Sequence, residues 1–121
     1  MTTDLVSQQS LRLTTETQPH LVTLVVEGEL DIATCADLAD AIATCLSQRP
    51  RAIAIDMSGV TFLGSAGATT LLESWYRATK QRTRMGITDP SKAVARVLEA
   101  RRLSTVLVRD PSVALPTSRF L

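Results

Sequence analysis

The residues best suited to chemistry lie in one run, Asp56-Met57-Ser58-Gly59-Val60-Thr61-Phe62-Leu63-Gly64-Ser65-Ala66-Gly67. It reads as the end of a buried strand (Ala52 to Met57), a tight loop, and a serine at the start of a helix. A helix start leaves backbone N–H groups without intrahelical partners, so negative charge is tolerated there. A hydroxyl at that place suits phosphorylation better than packing. Ser65 is the candidate modification site, and the plain alternative is an ordinary N-cap. Thr61, Thr69 and Thr70 are further candidate acceptors.

Other reactive groups point away from catalysis. Asp31 and Asp56 read as capping and loop carboxylates rather than an acid–base or metal pair. His20, the single histidine, sits beside Pro19 in a turn, and a catalytic triad needs a histidine in its site. Gly59 and Gly64 have phosphate-loop spacing, but Ser65 and Ala66 follow where the motif needs Lys and Ser/Thr. A nucleophile elbow needs Gly two residues before the serine, and Leu63 stands there. No His/Cys/Asp/Glu cluster has metal-ligand spacing. Arg82, Arg84, Arg101 and Arg102 read as a solvated face. The expectation is a binding protein, not an enzyme, with no cofactor.

Composition agrees. A chain of 121 residues, 45% hydrophobic, is the size of one domain with a real core. Thirteen basic and twelve acidic residues leave a net charge of +1, so nucleic acid and anionic membranes are poor partners. Aromatics are confined to Phe62, Trp75, Tyr76 and Phe120, too few for a base-stacking platform. No apolar run nears the roughly 20 residues that span a bilayer, and Met1 to Ser10 lacks the pattern of a signal peptide. A cytoplasmic location is expected. Cys35 and Cys45 fall on one helix about 15 Å apart, beyond the roughly 7 Å a disulfide spans. They read as buried core thiols.

The elements that must position Ser65 follow from periodicity. Residues 1–10 read as a flexible terminus. Leu11, Leu13 and Thr15 alternate with polar neighbours, and Leu21 to Glu27 is apolar and β-branched; the two predict an antiparallel hairpin. A helix is expected near Ala33 to Ser47, capped by Asp31 or Thr34 and stopped by Pro50. Ala52 to Met57 predicts a strand buried on both faces. A second helix is expected from about Ser65 to Lys80, then a short strand at Met85 to Thr88. Asp89-Pro90 predicts the start of a third helix, with Pro90 at its first position. Thr105 to Val108 predicts a last buried strand, and Val113 to Leu115 a short helical turn. The order β-β-α-β-α-β-α-β implies an α/β fold with a mostly parallel, mixed sheet of about five strands and helices packed on it. One domain is expected over residues 11–115, with a tail over 116–121.

Four segments in this order resemble the STAS family of anti-sigma factor antagonists. Gly28-Glu29-Leu30-Asp31 is similar to the family's GELD-type turn, and Asp56 to Phe62 to its D-L-S-x-V-x-F signature. Leu63-Gly64-Ser65-Ala66-Gly67 stands at the phosphorylation loop, with Gly64 where the family usually has Asp. Arg102-Leu103-Ser104-Thr105-Val106 resembles the segment running into the last strand. The resemblance implies the STAS fold and an anti-anti-sigma role. The unphosphorylated chain would bind an anti-sigma factor of the serine-kinase type and free a sigma factor. Phosphorylation at Ser65 would release that partner, and a serine phosphatase would reset the switch. The implied partner surface is Asp31, Ser58, Gly59, Thr61, Leu63, Gly64, Ala66 and Gly67. A homodimer stays open. Two alternatives remain: an accessory STAS subunit of an ABC-type lipid transport complex, and a small nucleotide-binding or hydrolytic protein.

Overall fold

The computed structural model, described here for residues 2–7 and 10–111, has a five-stranded mixed sheet. The strands are β1 (Thr2–Ser7), β2 (Leu11–Gln18), β3 (Leu21–Leu30), β4 (Ala52–Leu63) and β5 (Arg84–Pro90), adjacent in chain order. The first three pair antiparallel, whereas β3–β4 and β4–β5 are parallel. Parallel neighbours need crossovers. These are α1 (Cys35–Ser47) between β3 and β4, and α2 (Ser65–Lys80) between β4 and β5. Then come α3 (Lys92–Ala100) and the single turn α4 (Ser104–Leu107).

Period-two burial sets the antiparallel part. Leu11, Leu13 and Thr15 of β2 are buried opposite Gly28, Val26 and Leu24. Ala52 to Ile55 of β4 are all buried, as a central strand requires. One apolar cluster joins Leu13, Val26, Leu38, Ile42, Ile55, Leu71, Ile87, Val94 and Leu98. The second helix has the bounds its apolar spacing predicts. Cys45 is buried on α1 and Cys35 is half-buried. Removal from water pushes the Cys45 thiol up to about 11.

Five segments differ from the sequence expectation, each for a local reason. The expected loop after Met57 is strand: β3 and β4 continue together, pairing Glu27 with Gly59, Gly28 with Val60, Glu29 with Phe62 and Leu30 with Leu63. Register shifts between Val25 and Glu27 and between Gly28 and Glu29 absorb the mismatch. The glycines that read as turn signals are paired ladder residues flanking these irregularities. Gly28 holds φ 110°, and a Cβ there would overlap the Ser10 carbonyl oxygen. The expected loose terminus contributes β1 along β2.

The third departure is at Asp89-Pro90, which ends β5 rather than opening α3. Ser91 caps that helix, its Oγ accepting from Val94 N at 3.2 Å. The fourth is the segment expected as the last strand. It is α4, followed by one parallel bridge from Val108 to Ile87. The helical turn buries Leu107 fully, and the bare Gly86 lets the Arg109 backbone close on β5. The fifth is the start of α1, Cys35 instead of Ala33, because Asp31 to Thr34 form a capping turn. The expected turn at Val113 to Leu115 and the 116–121 tail lie outside the described residues.

Candidate functional site

The C-terminal ends of β3 and β4 carry the candidate residues. Gly64 links β4 to α2 in an extended conformation (φ −89°, ψ 178°), its N–H donating to Leu30 O at 2.9 Å. It caps α2 without a side-chain bond. Ser65 is the first helical residue and is exposed. Its Oγ accepts a hydrogen bond from Arg101 Nη2 at 2.8 Å. Arg101 is the C-cap of α3, so this one bond joins the head of α2 to the tail of α3. Sequence reading placed Arg101 on a solvated face and missed this partner, which lies 36 residues away.

The two loop carboxylates do the local work expected of them. Asp31 Oδ1 accepts from the Ala33 and Thr34 amides at 2.9 and 3.0 Å. Thr34 Oγ1 donates to Glu29 O at 2.8 Å and accepts from the Asp31 amide at 3.0 Å. This closed turn lifts Ile32 into solvent, 85% exposed. Asp56 Oδ1 accepts from the Ser58 amide and hydroxyl at 2.9 and 2.7 Å. Phe62, 49% exposed, lies beside Gly64; a Cβ on Gly64 would stand 3.2 Å from its ring. Ile32 and Phe62 are apolar surface that sequence reading did not assign. The available signal was an isoleucine off the apolar stripe of α1, next to a capping aspartate.

The expected partner surface divides by burial. Ser58, Gly59 and Thr61 are exposed along β4, and Thr61 Oγ1 donates to Gly28 O at 3.3 Å. Asp31, Gly64 and Ala66 are half-buried. Leu63 and Gly67, also expected at this surface, are buried. A Cβ at Gly67 would fall 2.7 Å from Leu63 Cδ1 and 3.1 Å from Leu30 Cβ. Gly67 therefore lets the first turn of α2 seat on the strand ends, and Leu63 is its floor. Both shape the surface from below.

Among the described residues no group of three or more His, Cys, Asp or Glu could hold a metal ion. His20 is exposed in the β2–β3 turn, at the opposite end of β3. An open groove lined by Leu72, Trp75, Tyr76 and Lys80 follows the later turns of α2, with Lys80 Nζ 4.8 Å from the Tyr76 ring centroid. Ser65 does not line it. No described helix is long and apolar enough to cross a membrane.

A family model described as "Mlab, STAS domain" matches residues 13–109. This chain belongs to the STAS family. An anti-sigma-F factor antagonist, RsfB of Mycobacterium tuberculosis, is 37% identical over 62 residues, 51% of either chain. The chain thus matches about half the length of that curated relative. The crystal structure of an anti-sigma factor antagonist from Mycobacterium paratuberculosis superposes with a TM-score of 0.74 at 28% identity, covering 84% of this chain and 87% of that one. Unphosphorylated SpoIIAA, also an anti-sigma factor antagonist, shares the fold with a TM-score of 0.69 at 19% identity, covering 89% and 92%.

Proposed function

We propose that this STAS domain is an anti-sigma factor antagonist, a non-catalytic cytoplasmic binding module switched at Ser65. In its unphosphorylated form it binds an anti-sigma factor of the serine-kinase type and frees a sigma factor. Phosphorylation of Ser65 breaks that complex and a serine phosphatase restores it. The observation that carries this reading is the exposed Ser65 at the head of α2, at the end of the sheet where Ile32 and Phe62 are also exposed. The relatives' names support the regulatory role.

The surface explains how a small modification acts. Ile32 and Phe62 supply apolar area, while Ser58, Gly59 and Thr61 offer small residues that permit close backbone approach. A phosphate on Ser65 adds roughly −1.5 to −2 charges at neutral pH. A closely packed partner would bury that charge, and about 1.4 kcal/mol already weakens binding tenfold. Stripping water from the phosphate and fitting its bulk into a close contact both add to that cost.

The second reading, an accessory subunit of an ABC-type lipid transport complex, is favoured by Gly64, which replaces the aspartate usual beside the phosphorylated serine. A pull-down from native lysate separates the two. Wild type and Ser65→Ala should retain an anti-sigma kinase that Ser65→Asp loses. An ABC ATPase held equally by all three baits would overturn the switch.

A further inference from the structure

The Ser65 hydroxyl is already engaged by a cation. Arg101 reaches it from a fixed stem. The Arg101 N–H donates within α3, and the Arg102 and Leu103 N–H groups close that helix on Glu99 O and Leu98 O. Among the described residues no carboxylate pairs with Arg101, and its side chain is seen bonding Ser65 Oγ. A guanidinium offers five N–H donors in a planar fork that matches phosphate geometry, so a single neutral hydroxyl uses little of it. A phosphate on the same oxygen would present three acceptor oxygens and close to two negative charges within reach of that fork.

We propose that Arg101 grips the phosphate of modified Ser65, so that this chain supplies the counter-ion for its own switch and clamps α2 to α3 in the phosphorylated state. This rests on Ser65 being the modified serine. In the transfer, a nucleoside triphosphate held by the kinase gives up its terminal phosphoryl group. The bond from the γ-phosphorus to the bridging oxygen breaks, the Ser65 Oγ–P bond forms, the hydroxyl proton passes to a base of the kinase, and nucleoside diphosphate leaves. Arg101 donates to Oγ rather than accepting from it, so the hydroxyl proton stays available. Once the phosphate is in place, the guanidinium pairs with its outer oxygens.

The test uses the full chain with phosphoserine installed at position 65 during translation, so no kinase is needed. Phosphorylation should raise the wild-type Tm by about 3–5 °C, and the Arg101 side-chain N–H resonances should shift and exchange more slowly. In Arg101→Gln the rise should disappear, and Arg101→Lys should recover part of it. Arg101 is exposed, so these variants fold. A full rise in Arg101→Gln would assign the phosphate to the α2 backbone amides and overturn the proposal, as would unmoved Arg101 resonances. Partner release is read separately in lysate, so failure of the switch and failure of the clamp give different results.

Discussion

Ile32 and Phe62 present apolar side chains to solvent at the end of the sheet that carries Ser65. Exposed side chains contribute little to folding, while a few apolar anchors dominate most interfaces. Ile32→Ala should therefore change stability by no more than about 0.5 kcal/mol yet weaken the partner complex about tenfold or more, read by denaturant titration and by calorimetry. Gly67 is the opposite case. Gly67→Ala should destabilise by about 1–3 kcal/mol, because its methyl group meets Leu63 and Leu30. A Gly67→Ala chain of wild-type stability would contradict the seating of α2 on the strand ends. At this scale the sequence reveals residue types and local caps, such as Asp31. It hides the bond from Arg101 to Ser65, since no local pattern links a helix C-cap to a serine 36 residues earlier.

The helices are the elements most legible in the chain, because a 3.6-residue apolar period is local information. Of the residues the apolar period assigns to the core side of α2, Leu71 and Ala78 are buried and Trp75 is partly buried, whereas Leu72 is exposed and Ser74 is buried instead. Strand lengths were harder to read. Gly28 and Gly59 look like punctuation, and only the partner strand keeps them paired in a continuing ladder beside its register shifts. The β-branched run Thr105-Val106-Leu107-Val108 suggests a strand, but burying Leu107 wins and a helical turn forms. Helix ends add a feature of their own. Arg49, Arg82 and Arg102 follow the C-caps of α1, α2 and α3 with φ of 51°, 63° and 60°. Glycine usually fills that left-handed position. Arg82→Gly should stabilise the protein by about 0.5–1 kcal/mol, measured as a higher urea midpoint. A lower midpoint would mean that the Arg82 side chain contributes more than its backbone strain removes.

For the whole molecule, a single core beneath a five-stranded sheet leaves one end of β3 and β4 to present Ile32, Phe62 and Ser65. The α/β class was readable from alternating strand and helix patterns, and the STAS family only from the resemblance of four segments. Core stability should respond to alkali through Cys45, whose thiol is raised to about 11 from 9.0. The folded state favours the neutral thiol, so its contribution is full below pH 9 and falls as pH rises through 11. Cys45→Ala should be less stable at pH 7, from the lost packing, and should lose less further stability between pH 8.5 and 11 than wild type does. Equal losses would show that Cys45 is not the titrating group.

The central claim is that a phosphate on Ser65 sets partner affinity. Its most direct measurement is the Kd of the purified anti-sigma partner for the unmodified chain and for the chain carrying phosphoserine at position 65. The phosphorylated chain should form a complex at least about tenfold weaker. Equal affinities for the two forms would contradict it.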